Sequence, residues 1–296
     1  MKINGAALWQ TGMVLLLLFI TCKSVHAQVQ EPKDVPADWS EAFPPFQIAG
    51  NLYYVGTRDL ACYLVTTPKG NILINTGLAA SLPLIKKSIE TLGFRFNDIK
   101  ILLTSQVHYD HVGAMAAIKR LTGARMMVNA KDAPVLADGG RSDYELGVHG
   151  VQFEPVRADR LLYDGDTITL GSVSLVMLHH PGHTKGSSSF LLTVNDNKRA
   201  YRVLIANLPT IITDRRFDAI PAYPDIAQDY AYTLESLKKQ SFDLWVAAHG
   251  SQFNLPGKHA PGSSHDPTVF ADREAYDRLV ADLYRAYRKK MEKEHQ

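Results

Sequence analysis

The apolar run from Ile99 to Leu103 leads straight into Gln106-Val107-His108-Tyr109-Asp110-His111, and this junction narrows the possible folds more than any other stretch. Four potential metal ligands stand within six residues there. Buried imidazole and carboxylate groups at that density need strong compensation, which a bound cation gives and ordinary packing does not. In an extended tail, side chains at i and i+2 share a face, so Gln106 and His108 can reach one ion. The turn that follows can aim Asp110 and His111 at a second. Imidazole together with carboxylate favours zinc or a neighbouring transition metal over calcium or magnesium. Two further histidines stand at strand ends beside glycine: His183 in His179-His180-Pro181-Gly182-His183-Thr184-Lys185-Gly186, and His249 after Leu244-Trp245-Val246-Ala247-Ala248. Layered α/β proteins place ligands just outside the carboxyl ends of strands, so both can converge on the 106–111 loop.

The flanking pattern supplies such layers. Short β-rich runs at Leu52 to Val55, Leu60 to Thr66 and Asn71 to Asn75 are separated by turns, and a helix over Ser81 to Leu92 is stopped by Gly93. After the motif, a helix opens at Val112-Gly113 and covers Ala114 to Leu121, a strand covers Arg125 to Val128, and a short helix covers Asp132 to Ala137. The second half repeats the mixture, with strands at Thr167 to Leu170, Val173 to His179, Ser188 to Val194, Arg202 to Ala206 and Leu244 to Ala248. Helices are expected over Ile226 to Lys239 and Pro267 to Glu292. This interleaving defines an α/β protein with sheets covered by helices. No linker divides residues 28–296, which read as a single domain.

Residues 1–27 are set apart from the fold. Lys2, the apolar run Met13 to Ile20 and Val25-His26-Ala27 form a signal peptide cut after Ala27, which implies export to the periplasm and no membrane attachment afterwards. Cleavage removes two lysines and no acid, so the 32 Lys+Arg fall to 30 and balance the 30 Asp+Glu. A neutral mature chain excludes a basic groove for nucleic acid and favours a small, weakly charged substrate. Cys62, the one cysteine left, lies in an apolar run without an adjacent histidine and reads as a buried structural thiol.

The His-x-Asp-His core, the later Gly-His-Thr-x-Gly-Ser, the strand-end His249 and their order resemble the metallo-β-lactamase superfamily. More closely, the chain resembles subclass B3 β-lactamases, in the GOB-like variant whose first histidine is replaced by glutamine. The likeness extends to 48–57, 70–77 and 201–207. It implies the four-layer αββα fold. It also implies two zinc sites, Gln106, His108 and His183 in the first, and Asp110, His111 and His249 in the second. Asp110 would orient a water made nucleophilic by zinc toward the β-lactam carbonyl of penicillins, cephalosporins and carbapenems, giving antibiotic resistance. Thr210 and Leu208 would border the substrate, with Lys185 and Ser187 as weaker candidates and 51–57 and 138–150 edging the cleft. A monomer is expected.

Two departures matter. A neutral amide oxygen is a poorer zinc ligand than imidazole, so Gln106 should leave the first site weak and the Asp110, His111, His249 site tighter, with one or two ions per chain. Asn75 replaces an aspartate found in many superfamily members and would orient ligands less firmly. Among the other histidines, His179 and His180 read as structural, and His149, His259, His265 and His295 as solvated. Tyr109 is expected to pack or line the cleft. Three alternatives stay open: a lactonase, a thioester hydrolase, or a catalytically silent periplasmic zinc-binding protein.

Overall fold

The computed structural model describes Lys2, residues 29–197 and residues 199–294. The signal segment, apart from Lys2, and His295 lie outside them. Twelve strands form two sheets. The first contains β1 (Phe46–Ala49), β2 (Leu52–Tyr54), β3 (Tyr63–Thr67), β4 (Gly70–Ile74), β5 (Ile99–Leu103), β6 (Arg125–Asn129) and β7 (Arg160–Leu162), in chain order. The second contains β8 (Thr167–Leu170), β9 (Val173–His179), β10 (Ser188–Asp196), β11 (Arg199–Ala206) and β12 (Leu244–Ala247), in the order β12-β11-β10-β9-β8.

Alternation in the central strands explains the layering. Tyr63 and Val65, Ile72 and Ile74, and Ile101 and Leu103 turn toward the second sheet and join Met177, Phe190, Val203 and Ile205 in one core. Leu64, Leu73 and Leu102 turn the other way, against α1 (Leu82–Thr91), α2 (Tyr109–Val112), α3 (Met115–Thr122) and α4 (Ala133–Asp138). Strands buried on both faces carry the nearly continuous apolar runs seen in the sequence. On the far side, α5 (Ile226–Lys238) and α7 (Arg273–Glu294) cover the second sheet through Leu237, Tyr276 and Val280, and the short α6 (Leu255–Lys258) adds Leu255. The result is the four-layer αββα arrangement.

Parallel pairings set where the strand ends meet. β4 runs parallel to β5, and β11 to β12, so Asn75, Ser105, Asn207 and His249 leave the sheets at one rim. The rim is stitched across the two sheets: Ser188 N donates to Ser105 O at 2.7 Å and Ala61 N to Ala248 O at 3.1 Å.

Several sequence boundaries shift. Leu60 to Cys62 lie outside β3, and Leu60 instead makes an isolated bridge to His249. The helix expected to open at Val112-Gly113 begins earlier, with α2 inside the motif itself. The C-terminal helix starts at Arg273, because Pro267–Phe270 forms a separate 3-10 turn capped by Asp266. β1 and β7 were not anticipated.

Candidate metal centre

The motif after β5 is locked from below. Thr76 donates to His111 O through its backbone N at 2.7 Å and its hydroxyl at 3.2 Å, and Gly113 N donates to Gly77 O at 2.9 Å. A side chain at Gly113 would meet Ala79 N at 2.4 Å, so only glycine lets α2 sit this close. Asn75, at a left-handed φ of 62°, accepts from Ser105 N at 2.8 Å and donates to Ala61 O at 3.3 Å. It braces the strand ends and does not itself touch a histidine of the motif.

The structure brings five of the expected ligands together in two groups, with Gln106 buried on the same loop. Asp110 Oδ2 lies 3.1 Å from His111 Nε2 and 3.5 Å from His249 Nε2, and the ligand atoms of these three residues fall within 4.8 Å of one another. Beside them, the His108 and His183 rings meet edge to face at 4.9 Å between centroids. Each of three histidines has one nitrogen engaged from behind. His249 Nδ1 faces Asp59 Oδ2 at 3.0 Å, His108 Nε2 faces Asp143 Oδ2 at 3.2 Å, and His183 Nδ1 faces Thr210 O at 2.7 Å. The opposite nitrogens, His249 Nε2, His108 Nδ1 and His183 Nε2, are left for a ligand. Gln106 Oε1 and His111 Nδ1 are buried without a hydrogen-bond partner. Buried polar atoms without partners are rare and call for an ion or other unseen group.

The electrostatics follow from this packing. Burial, reinforced by the neighbouring His108, pushes His183 down to about 3. Burial would also lower His249, but the Asp110 and Asp59 carboxylates outweigh it and carry the imidazole up to about 9. Burial opposes ionisation of Asp110, yet His111 and His249 hold it well below the usual carboxylate range.

Three acidic residues and one aromatic completing the centre were not singled out from the sequence. Asp59 also accepts from Trp39 Nε1 at 3.0 Å and Ser251 N at 2.7 Å. Asp132 staples the two ligand loops together, accepting from Val107 N at 3.2 Å, Thr184 Oγ1 at 2.7 Å and Gly186 N at 2.7 Å. Burial pushes Asp132 up to about 6. The folded metal-free chain therefore binds this proton more readily than the unfolded chain, and its stability should fall as pH rises from about 4 to 6. Denaturant titrations across that window should show a downward slope of at most about 1.4 kcal/mol per pH unit, flattened in Asp132→Asn.

A cleft of about 470 Å³ opens above the centre, lined by Trp39, His108, Tyr109, Asp110, Leu146, His183, Thr210, Ile212, His249, Ser251 and Gln252. Thr210 is exposed there, and Tyr109 lines the wall beside Trp39. Leu208, expected in the same wall, is instead buried in the hydrophobic core, and Ile212 lines the cleft. The cause is strand extension: Leu208 follows β11 closely enough to continue its inward packing. Ser187 is buried against Thr184, and Lys185 lies over the Tyr223 ring; neither lines the cleft. His180 is buried between Ser189 and Ser236, as a structural histidine should be. His149 is exposed, but His259 stacks on Phe46 and His265 pairs with Asp196 at 2.6 Å, so those two are not simply solvated.

Comparison with known proteins agrees with this geometry. The metallo-beta-lactamase superfamily profile matches residues 56–196. The metallo-beta-lactamase GOB-18 from Elizabethkingia meningoseptica is 52% identical, with a TM-score of 0.89, over 90% of this chain and 99% of that one. The class B3 di-zinc metallo-beta-lactamase LRA-12 from an Alaskan soil metagenome is 58% identical, with a TM-score of 0.87, over 88% and 99%. Curated relatives align over shorter stretches. A probable metallo-hydrolase of Burkholderia pseudomallei (strain 1710b) is 32% identical over 98 residues, 32% of each chain. The chain covers less than two thirds of the length of the curated relatives it matches first. The chain belongs to the metallo-β-lactamase superfamily. Its likeness within that superfamily is to the subclass B3 enzymes.

Proposed function

We propose that the chain is an exported zinc-dependent β-lactamase that opens the β-lactam amide of penicillins, cephalosporins and carbapenems. The observation that carries this reading is the cleft floor. His108, Asp110, His183 and His249 line a cavity of ligand size, with His111 beside Asp110, and Gln106 Oε1 is buried without a partner on the same loop. Neutral imidazole, carboxylate and amide oxygen form a donor set that fits zinc. Gln106, His108 and His183 would hold one ion, and Asp110, His111 and His249 the other.

Bound zinc would lower the pKa of a water and polarise a carbonyl oxygen. The chain's own residues do the rest. Asp110, whose carboxylate is ionised at rest, would orient the water and accept its proton. Asp59 fixes the His249 tautomer. Thr210, exposed in the cleft wall, offers a hydroxyl to a substrate carboxylate, and Trp39 and Tyr109 give an apolar wall that sheds water. No helix among the described residues is long and apolar enough to cross a membrane, and the protein is proposed to reside in the periplasm after signal-peptide cleavage. A monomer acting on a small molecule, without nucleic acid, completes the reading.

The test is turnover of a chromogenic cephalosporin, a penicillin and a carbapenem at saturating zinc, beside a homoserine lactone and a thioester. β-Lactam hydrolysis that stops on chelation is expected. Preferential lactone or thioester cleavage, or metal uptake without turnover of any β-lactam, would overturn it. Gln106→His should tighten the first ion by replacing an amide oxygen with imidazole. Chelator competition measures this, and unchanged affinity would count against a site weakened by glutamine.

A further inference from the structure

We propose that Asp143 is a positioning residue that determines whether the glutamine-bearing site holds its metal; this rests on the zinc reading above. Asp143 is buried, and its carboxylate cannot swing freely. Oδ1 accepts from Glu145 N at 2.9 Å and Leu146 N at 2.6 Å, while Oδ2 faces His108 Nε2 at 3.2 Å. With Nε2 engaged, Nδ1 is the His108 nitrogen presented to an ion.

The next two residues extend the grip. Tyr144 donates its hydroxyl to the carbonyl of His183 at 3.2 Å, and Glu145 Oε2 is held by Arg215 at 2.8 Å. Arg215 also donates to the Tyr144 carbonyl. Asp143 and Tyr144 thus reach the two histidines of the glutamine site, Glu145 anchors the segment to Arg215, and none of these hydrogen bonds goes to Asp110, His111 or His249. The other site has its own backing carboxylate, Asp59 behind His249. Gln106 brings no charge and a weak donor, so the negative charge behind His108 compensates by making that imidazole more basic. Carboxylates hydrogen-bonded to metal-bound histidine typically change metal affinity about 10–100-fold.

The experiment measures zinc affinities of the mature protein by chelator competition, with the first site identified as the step lost in His183→Ala. Asp143→Asn should weaken that step about 10–100-fold and leave the other unchanged, and Asp59→Asn should do the reverse. Unchanged first-site affinity in Asp143→Asn, or equal weakening of both sites, overturns the proposal. Should Asp143→Asn fail to fold, the unaltered protein still decides. Loaded with cadmium-113 and labelled with ¹⁵N-histidine, it should show coupling to His108 Nδ1 with a proton on Nε2; coupling to Nε2 overturns the proposal. A chain that takes up no metal overturns the zinc reading itself, whereas metal uptake indifferent to Asp143 overturns only this inference.

Discussion

Asp110→Asn should lower kcat/KM for a chromogenic cephalosporin by about 10²–10⁴-fold, the range for removing a positioned proton-transfer group. The substitution keeps size and shape but removes the charge that His111 and His249 stabilise at 3.1 and 3.5 Å. It acts twice: the proton acceptor is gone, and one donor of the three-residue cluster becomes a neutral amide. Metal analysis separates the two effects. Zinc-loaded Asp110→Asn with near-normal turnover would show that Asp110 plays neither role. A loss of turnover at full zinc occupancy would place its main role in the chemistry.

Removing zinc should cost the fold as well as the activity. A ligand present at about 1,000 times its Kd stabilises the native state by about 4 kcal/mol. For a chain of this size that corresponds to a melting shift of about 8–16 °C. Without the ion, Gln106 Oε1 and His111 Nδ1 stay buried without a hydrogen-bond partner, and that desolvation works against folding. Thermal melts with and without chelator, followed by zinc add-back, provide the check. Identical midpoints would mean that no ion is held there.

The proposed ligand set was legible in the sequence because metal chemistry restricts residue types so severely. His108, Asp110 and His111 declare themselves by density, and His183 and His249 by their places at strand ends. The central strands were legible because burial on both faces leaves continuous apolar runs. The residues that aim the ligands were not. Asp59, Asp132 and Asp143 are single acids in loops, and nothing local distinguishes them from solvated ones; His249, Val107 and His108, which they hold, lie 190, 25 and 35 residues away. β1 was hidden behind Pro44-Pro45, and β7 is a three-residue edge strand too short for an alternation signal. Leu208 was misplaced because a residue just past a strand can still belong to its core.

The span between Asp59 and His249 also orders events in time. Asp59 is held in place by Trp39 and Ser251, and His249 becomes a ligand only once β12 has paired beside β11. A chain emerging from its N-terminus therefore displays the 106–111 motif long before the last donor exists. On the proposed zinc reading, the complete centre closes only when both sheets have docked, so tight metal capture would report the finished fold and would not seed it.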